Sequence, residues 1–139
     1  MDSIQMVAFR LEDNYFGIDI MKAKEIMGLA PITQLPLLAS YMRGVIDVRG
    51  KVVPVVDTRM KLGLGSGEIT DESRLLLVEN KGKIVALLVD EVSEVITLTR
   101  DQIEPIVGIE TGFGSIDGIE GIARLDNQLL IYLDTDKLL

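Results

Sequence analysis

A β-hairpin that occurs twice along the chain constrains its fold more than any other feature of the sequence. Its first copy alternates apolar and polar residues on both sides of the turn Glu12-Asp13-Asn14. A similar unit surrounds the turn Asn80-Lys81-Gly82, and both flanks have the residue pattern of strands. The offset of 69 residues persists beyond the turns, because Glu25-Ile26 in the first copy matches Glu94-Val95 in the second.

A second hairpin follows each of these units. One has its turn at Arg49-Gly50, and the other has its turn at Asp126-Asn127, at an offset of 77 residues. Both second hairpins end in the same dipeptide, Asp57-Thr58 in the first case and Asp134-Thr135 in the second. The sequence therefore predicts an internal duplication of a two-hairpin unit, each copy roughly 60 residues long.

The duplication predicts one mainly β domain over residues 1–139, built from two subdomains of approximately 5–66 and 67–139. Terminal elements can cross between the subdomains, and the two should pack on each other because joined units bury more of their surface. Short connecting helices are expected at 37–42, 60–62 and 136–139. Pro54 cannot donate a ladder hydrogen bond, so its strand is expected at a sheet edge or with a bulge there.

The composition excludes the commonest kinds of enzyme. The chain has no histidine and no cysteine, which removes the usual general base, the thiol nucleophile and thiolate metal ligands. No catalytic residue, metal or cofactor is predicted, and we expect a protein that is not an enzyme. One alternative is a carboxylate-dependent metal enzyme, for which Asp134 and Asp136 form the only plausible nucleus.

Charge and hydropathy limit the partners. The formal net charge of −8 would repel nucleic acid phosphates and anionic lipid, so neither is expected as a partner. The N-terminus lacks a basic, apolar signal segment, and no apolar run approaches the length of about 18 residues that a membrane span needs. A cytoplasmic location without membrane insertion is expected.

The run from Gly44 to Arg59, GVIDVRGKVVPVVDTR, resembles the signature of the bacterial chemotaxis coupling proteins of the CheW family. Further similarity lies in YFGIDI at 15–20, KEI at 24–26 and VSEV at 92–95, so it covers essentially the whole chain. The resemblance implies two small five-stranded SH3-like β-barrels packed side by side. This fold agrees with the duplication found independently in the hairpins.

The resemblance also implies an adaptor role. Family members join the cytoplasmic hairpin tip of a methyl-accepting chemoreceptor to the regulatory domain of the histidine kinase CheA. The receptor contacts a groove between the barrels, where Glu25 and Arg49 could pair. The positions that match the receptor-binding residues of the family are Ala23, Glu25, Ile26, Arg49, Leu75 and Val92.

The kinase-facing positions implied by the resemblance are Val52 on one barrel and Glu104 with Ile109 on the other. Two such faces would permit alternation of adaptor and kinase in rings, and the protein would join receptor arrays at the inner membrane through its partners. The sequence departs from the family pattern at Asp47, where asparagine is frequent. A CheW-like adaptor that serves a non-chemotactic kinase cascade is the main alternative.

Overall fold

The computed structural model describes residues 2–36, 38–65, 67–105 and 118–139. The helical elements of these ranges are short: α1 Thr58–Lys61 and a 3-10 turn at Arg100–Gln102 lie between strands, and α2 Thr135–Leu138 follows the last strand. The strands are β1 Ser3–Leu11, β2 Asn14–Asp19, β3 Ala23–Met27, β4 Met42–Val48, β5 Lys51–Asp57, β6 Arg74–Asn80, β7 Lys83–Val89, β8 Glu91–Thr99, β9 Ile103–Pro105, β10 Ile119–Leu125 and β11 Gln128–Leu133. The prediction of a mainly β fold with short connecting helices is confirmed.

The strands form two sheets. The first sheet has six strands in the order β8-β1-β2-β11-β10-β9, and the second has five in the order β3-β6-β7-β5-β4. The 3-10 turn leads β8 directly into β9, so the two outer strands of the first sheet are consecutive in the chain. The description as two side-by-side SH3-like barrels therefore fits, although hydrogen bonds among the described strands do not close either sheet into a complete ring.

The two repeats exchange hairpins between the sheets. The hairpin β1–β2 belongs to the first repeat but lies beside β8 and β11 of the second, while β6–β7 lies between β3 and β5 of the first. The parallel pairings β2–β11 and β5–β7 are equivalent contacts in the two sheets. Each sheet thus combines strands from both sides of the boundary near residue 66 that the sequence predicts.

The Asp-Thr dipeptides begin the two helices in equivalent ways. The Asp57 carboxylate accepts a hydrogen bond from the Met60 backbone N–H. The Asp134 carboxylate accepts hydrogen bonds from the backbone N–H groups of Asp136 and Lys137. Such N-caps satisfy backbone donors that the first turn leaves free. The threonines that follow are buried in both helices. The dipeptide repetition seen in the sequence is therefore a repeated helix start.

The apolar residues form three layers, because several central strands bury both of their faces. In β6, Leu75 and Leu77 fill the interior of the second sheet, whereas Leu76 and Val78 point into a layer between the sheets. Successive strand residues face opposite sides, so an uninterrupted apolar run serves two cores. The interior of the first sheet forms the third layer, around residues such as Met6.

Two local predictions are wrong. The described part of the expected helix at 37–42 is irregular and leads into β4, because the Tyr41 carbonyl accepts from the Asp57 N–H instead of continuing a helix. The strand β5 lies inside the second sheet, in register with β4 at Pro54. Pro54 is tolerated there because the pairing of β5 with β7 begins only at Val55.

Candidate functional site

An ion pair between Glu25 and Arg49 is at the centre of the candidate site. The two guanidinium nitrogens of Arg49 donate to the two carboxylate oxygens of Glu25, at 2.7 and 3.2 Å. The Arg49 side chain is 73% exposed and that of Glu25 is 35% exposed. The hydrogen bonds from Arg49 hold the pKa of the Glu25 carboxyl below its ordinary value. The pairing suggested from the sequence is thus formed in the free protein.

The turn between β4 and β5 explains why Arg49 can reach across to β3. Arg49 and Gly50 both have positive φ, at 51° and 83°, as in the tight turns that join twisted hairpin strands. The Asp47 carboxylate accepts a hydrogen bond of 2.8 Å from the Gly50 backbone N–H and closes the turn. An asparagine oxygen could accept the same bond, so the departure at Asp47 leaves the turn geometry intact.

A cavity of about 300 Å³ lies beside the ion pair. Its apolar lining includes Val53 and Leu77, and its charged lining includes Lys24 and Lys51. All of these residues belong to the second sheet. The surface at Glu25 and Arg49 is therefore the mouth of one barrel rather than the space between the two.

The space between the two sheets opens at a separate cleft of about 460 Å³. Ile26 of β3 lines one side, and Val92 of β8 lines the other. Ile26 is 50% exposed, which is high for a large apolar side chain. The predicted receptor residues are thus divided between two adjoining surfaces, because Glu25 and Ile26 are neighbours in a strand and point to opposite sides.

The remaining two predicted receptor positions are Ala23 and Leu75. Leu75 is completely buried in the interior of the second sheet, so its side chain cannot touch a partner in this conformation. Ala23 is half-buried and packs against the layer between the sheets. Leu75 thus belongs to the core of the second sheet, and Ala23 packs at the margin of the layer between the sheets.

The predicted kinase-facing positions are far less enclosed. Val52 is 74% exposed, two residues from the turn that carries Gly50. Glu104 is exposed on β9 of the other sheet, whereas Ile109 lies outside the described residues. Val52 lies on β5 of the second sheet, and Glu104 lies on β9 of the first.

A pair of acidic side chains in the cleft was not singled out from the sequence. Glu72 and Glu91 both line the space between the sheets, and hydrogen bonding with Glu72 raises the pKa of Glu91 above its ordinary value. Arg10 lies 4.0 Å from Glu91 and partly offsets this effect. Glu72 precedes β6 and Glu91 begins β8, so only the three-dimensional fold brings these carboxyl groups together.

The carboxylates of Asp134 and Asp136 are already engaged by donors of the protein. Asp134 caps α2, and Asp136 accepts from the Lys22 ammonium group and the Lys81 backbone N–H, each at 3.1 Å. Within the described ranges, no group of three or more acidic side chains is arranged to hold a metal ion. The observed roles of these two aspartates are structural.

The part of the chain that the structure describes contains no helix long and apolar enough to cross a membrane.

Comparison with known proteins identifies the family. The model for the CheW-like domain matches residues 5–139. A probable chemotaxis protein CheW of Rhizobium etli is 32% identical over 134 residues, which cover 96% of this chain and 86% of that protein. The chemotaxis protein CheW of Klebsiella aerogenes is 33% identical over 136 residues, which cover 97% of this chain and 81% of that protein.

A solved structure has the same fold. The crystal structure of the scaffolding protein TtCheW from Thermoanaerobacter tengcongensis superimposes with a TM-score of 0.89 at 31% identity, covering 99% of this chain and 92% of that one. The duplicated hairpins, the two sheets and the near-complete sequence match agree with one another. The chain belongs to the CheW-like domain family and is a scaffold of the chemotaxis type.

Proposed function

We propose that this chain couples the cytoplasmic hairpin tips of chemoreceptors to the histidine kinase CheA and transmits receptor state to kinase activity. It does so by presenting binding surfaces and carries out no chemical step itself. Its association with receptor arrays at the inner membrane follows from these partners. The observation that carries the proposal is the exposed, bidentate ion pair between Glu25 and Arg49.

An exposed ion pair adds little to folding stability, since solvent and mobile side chains offset most of its attraction. Its geometry here is nevertheless specific, because two parallel hydrogen bonds fix the planes of both groups. The pair joins β3 to the β4–β5 turn, and the next residue of β3, Ile26, is exposed on the opposite side of the same edge strand. An edge strand that presents a fixed polar pair and an exposed apolar residue is the kind of surface that docks a partner helix.

The receptor face of this proposal comprises Glu25, Ile26, Arg49 and Val92, with Ala23 and Leu75 packed beneath it. The kinase face comprises Val52 on one barrel and Glu104, with Ile109, on the other. Coupling between two such faces requires that binding at one changes affinity or activity at the other. Val52 is exposed but does not line the cavity beside the ion pair, which supports separate faces.

The experiment that tests the proposal is reconstitution with purified CheA and a receptor fragment, followed by kinase autophosphorylation. Arg49→Glu should weaken receptor binding on the order of tenfold, because it breaks the pair and repels Glu25, while kinase binding stays near wild type. Lys137→Glu is a matched control, since Lys137 is also an exposed, paired cation, 65% exposed against 73%.

The reciprocal exchange Glu25→Arg with Arg49→Glu should recover part of the lost receptor affinity. Equal loss of receptor and kinase binding in Arg49→Glu would contradict two separate faces. Absence of any effect of the wild-type chain on receptor-controlled autophosphorylation, with all partners folded, would refute the adaptor role.

A further inference from the structure

The strand β3 lies at the edge of the second sheet, and none of its side chains is fully buried in the core. It pairs with β6 on one side, and its register shifts between Ala23 and Glu25. Its five side chains are each half-buried or exposed. Burial of apolar surface is the main stabilising force in folding, so this strand gains less from it than its neighbours do.

Ion pairs hold β3 in addition to its backbone pairing with β6. Among the described residues, three charged positions near its start are joined to different elements. The residue just before the strand is joined to α2, a residue within the strand is joined to β6, and the residue after that one is joined to the β4–β5 turn. These pairs are Lys22–Asp136 at 3.1 Å, Lys24–Glu79 at 3.0 Å and Glu25–Arg49 at 2.7 Å. The position of the strand therefore depends on charged contacts at its surface.

Asp136 is the best anchored of these partners. One of its carboxylate oxygens accepts from the Lys22 ammonium group and the other accepts from the Lys81 backbone N–H. Its helix is fixed by the Asp134 cap and by the buried side chain of Leu138. Asp136 thus joins the entry of β3 to the β6–β7 turn from a firmly packed helix.

The other repeat has a similar arrangement, in which the helix residue is a cation instead of an anion. Arg59 of α1, at the position that corresponds to Asp136, binds Glu12 in the β1–β2 turn. Arg59 also lies 3.7 Å from Asp90, which immediately precedes β8 as Lys22 precedes β3. Both short helices therefore hold the turn of a hairpin and the entry of an outer strand. Because this contact recurs at corresponding helix residues, it belongs to the repeated unit of the fold and is not an isolated surface pair.

We propose that Asp136 is a positioning residue for the receptor face, which it holds in place through Lys22 and β3. The part of this inference that concerns receptors rests on the proposed function, because it takes Glu25 and Ile26 of β3 as receptor contacts. In the free protein, the same contact restrains the exchange of the β3 backbone hydrogens with solvent. The C-terminal helix thereby sets the affinity of a surface that it does not itself form.

The experiment compares Asp136→Asn with Lys137→Gln in the full chain. The asparagine keeps one oxygen for the Lys81 N–H but removes the charge that binds Lys22. The control changes the next residue of the same helix and removes the ion pair of Lys137 with Glu120. Hydrogen exchange by mass spectrometry should show roughly twofold to fivefold faster exchange over β3 in Asp136→Asn. Affinity for a receptor hairpin fragment should fall by a similar factor, with CheA binding unchanged.

A second variant separates positioning from general loss of stability. Lys22→Gln should reproduce the effect on β3, and the double variant Lys22→Gln with Asp136→Asn should be no worse than either single one. Unchanged exchange over β3 in Asp136→Asn, or an equal effect of Lys137→Gln, would overturn the inference. If the wild-type chain fails to bind the receptor fragment, the proposed function and the receptor part of this inference fail, while the exchange data still decide whether Asp136 positions β3.

Discussion

Four glycines provide a direct test of how the repeated hairpins are packed, because they separate two physical causes of destabilisation. Gly44 has φ of 141°, and a Cβ at this position would overlap the Thr33 carbonyl oxygen. At the equivalent position of the second repeat, a Cβ on Gly121 would lie 2.6 Å from the Glu104 carbonyl oxygen. Gly50 has positive φ but open space around it, and Gly28 has neither constraint.

The cost of an alanine at each position follows from these contacts. Gly50→Ala should cost about 1 kcal/mol, the penalty of a left-handed residue with a side chain. Gly121→Ala should cost about 2 kcal/mol, because it displaces β9 and disrupts roughly two ladder hydrogen bonds worth about 1 kcal/mol each. Gly44→Ala combines both causes and also breaks the Thr33–Val45 pair of backbone bonds, at 2.8 and 2.9 Å. It should therefore cost about 3 to 4 kcal/mol.

Urea unfolding followed by circular dichroism measures these differences, since small domains commonly have about 5 to 15 kcal/mol of stability in total. Gly28→Ala is the matched control and should change stability by less than about 1 kcal/mol, in the stabilising direction. A Gly44→Ala protein that unfolds at the same urea concentration as Gly28→Ala would refute the reasoning. So would a Gly50→Ala protein that loses as much stability as Gly44→Ala.

Two further predictions concern charged groups. Glu91→Gln should stabilise the protein at pH 7, because Glu72 raises the pKa of Glu91 and thus disfavours its ionised form in the fold. The gain should vanish below the ordinary glutamate pKa of about 4.3, where Glu91 is protonated, and a constant gain in urea midpoint across this range would contradict it. Arg59→Met should lower the free energy of unfolding by about 1 to 3 kcal/mol, because the Arg59 side chain is only 15% exposed and its replacement leaves Glu12 without a cation. Arg59→Lys should lose less in thermal unfolding, and equal melting temperatures for Arg59→Met and wild type would oppose this view.

The hairpins could be predicted from the sequence because their signals are local. Alternation, a turn such as Arg49-Gly50 and the repeated Asp-Thr dipeptide each depend on a few adjacent residues. The sheet that each hairpin joins could not be predicted, because pairings such as β1 with β8 depend on contacts far apart in the chain. The expected helix at 37–42 failed for a related reason, since a distant strand takes the Tyr41 carbonyl.

The candidate site shows the same division between local and distant information. The pairing of Glu25 with Arg49 could be suggested by family resemblance, and the structure contains it. The burial of Leu75 could not be foreseen from the sequence. The apolar run of β6 contributes side chains to two core layers, and only the neighbouring strands show that both of its faces are covered. The carboxyl pair of Glu72 and Glu91 also required the fold, since Glu72 precedes β6 of one sheet and Glu91 begins β8 of the other.

The reversal of charge between equivalent positions suggests how a duplicated scaffold can serve two different partners. An exposed aliphatic residue is kept on both second hairpins, with Val52 at 74% and Leu129 at 52% exposure. The turn before it carries Arg49 in the first repeat and Asp126 in the second. The backbone geometry is thus repeated while the charge beside the apolar contact is inverted. Because a like charge opposite a binding surface rejects a partner, this inversion would let one geometry discriminate between the two partners of the proposed function.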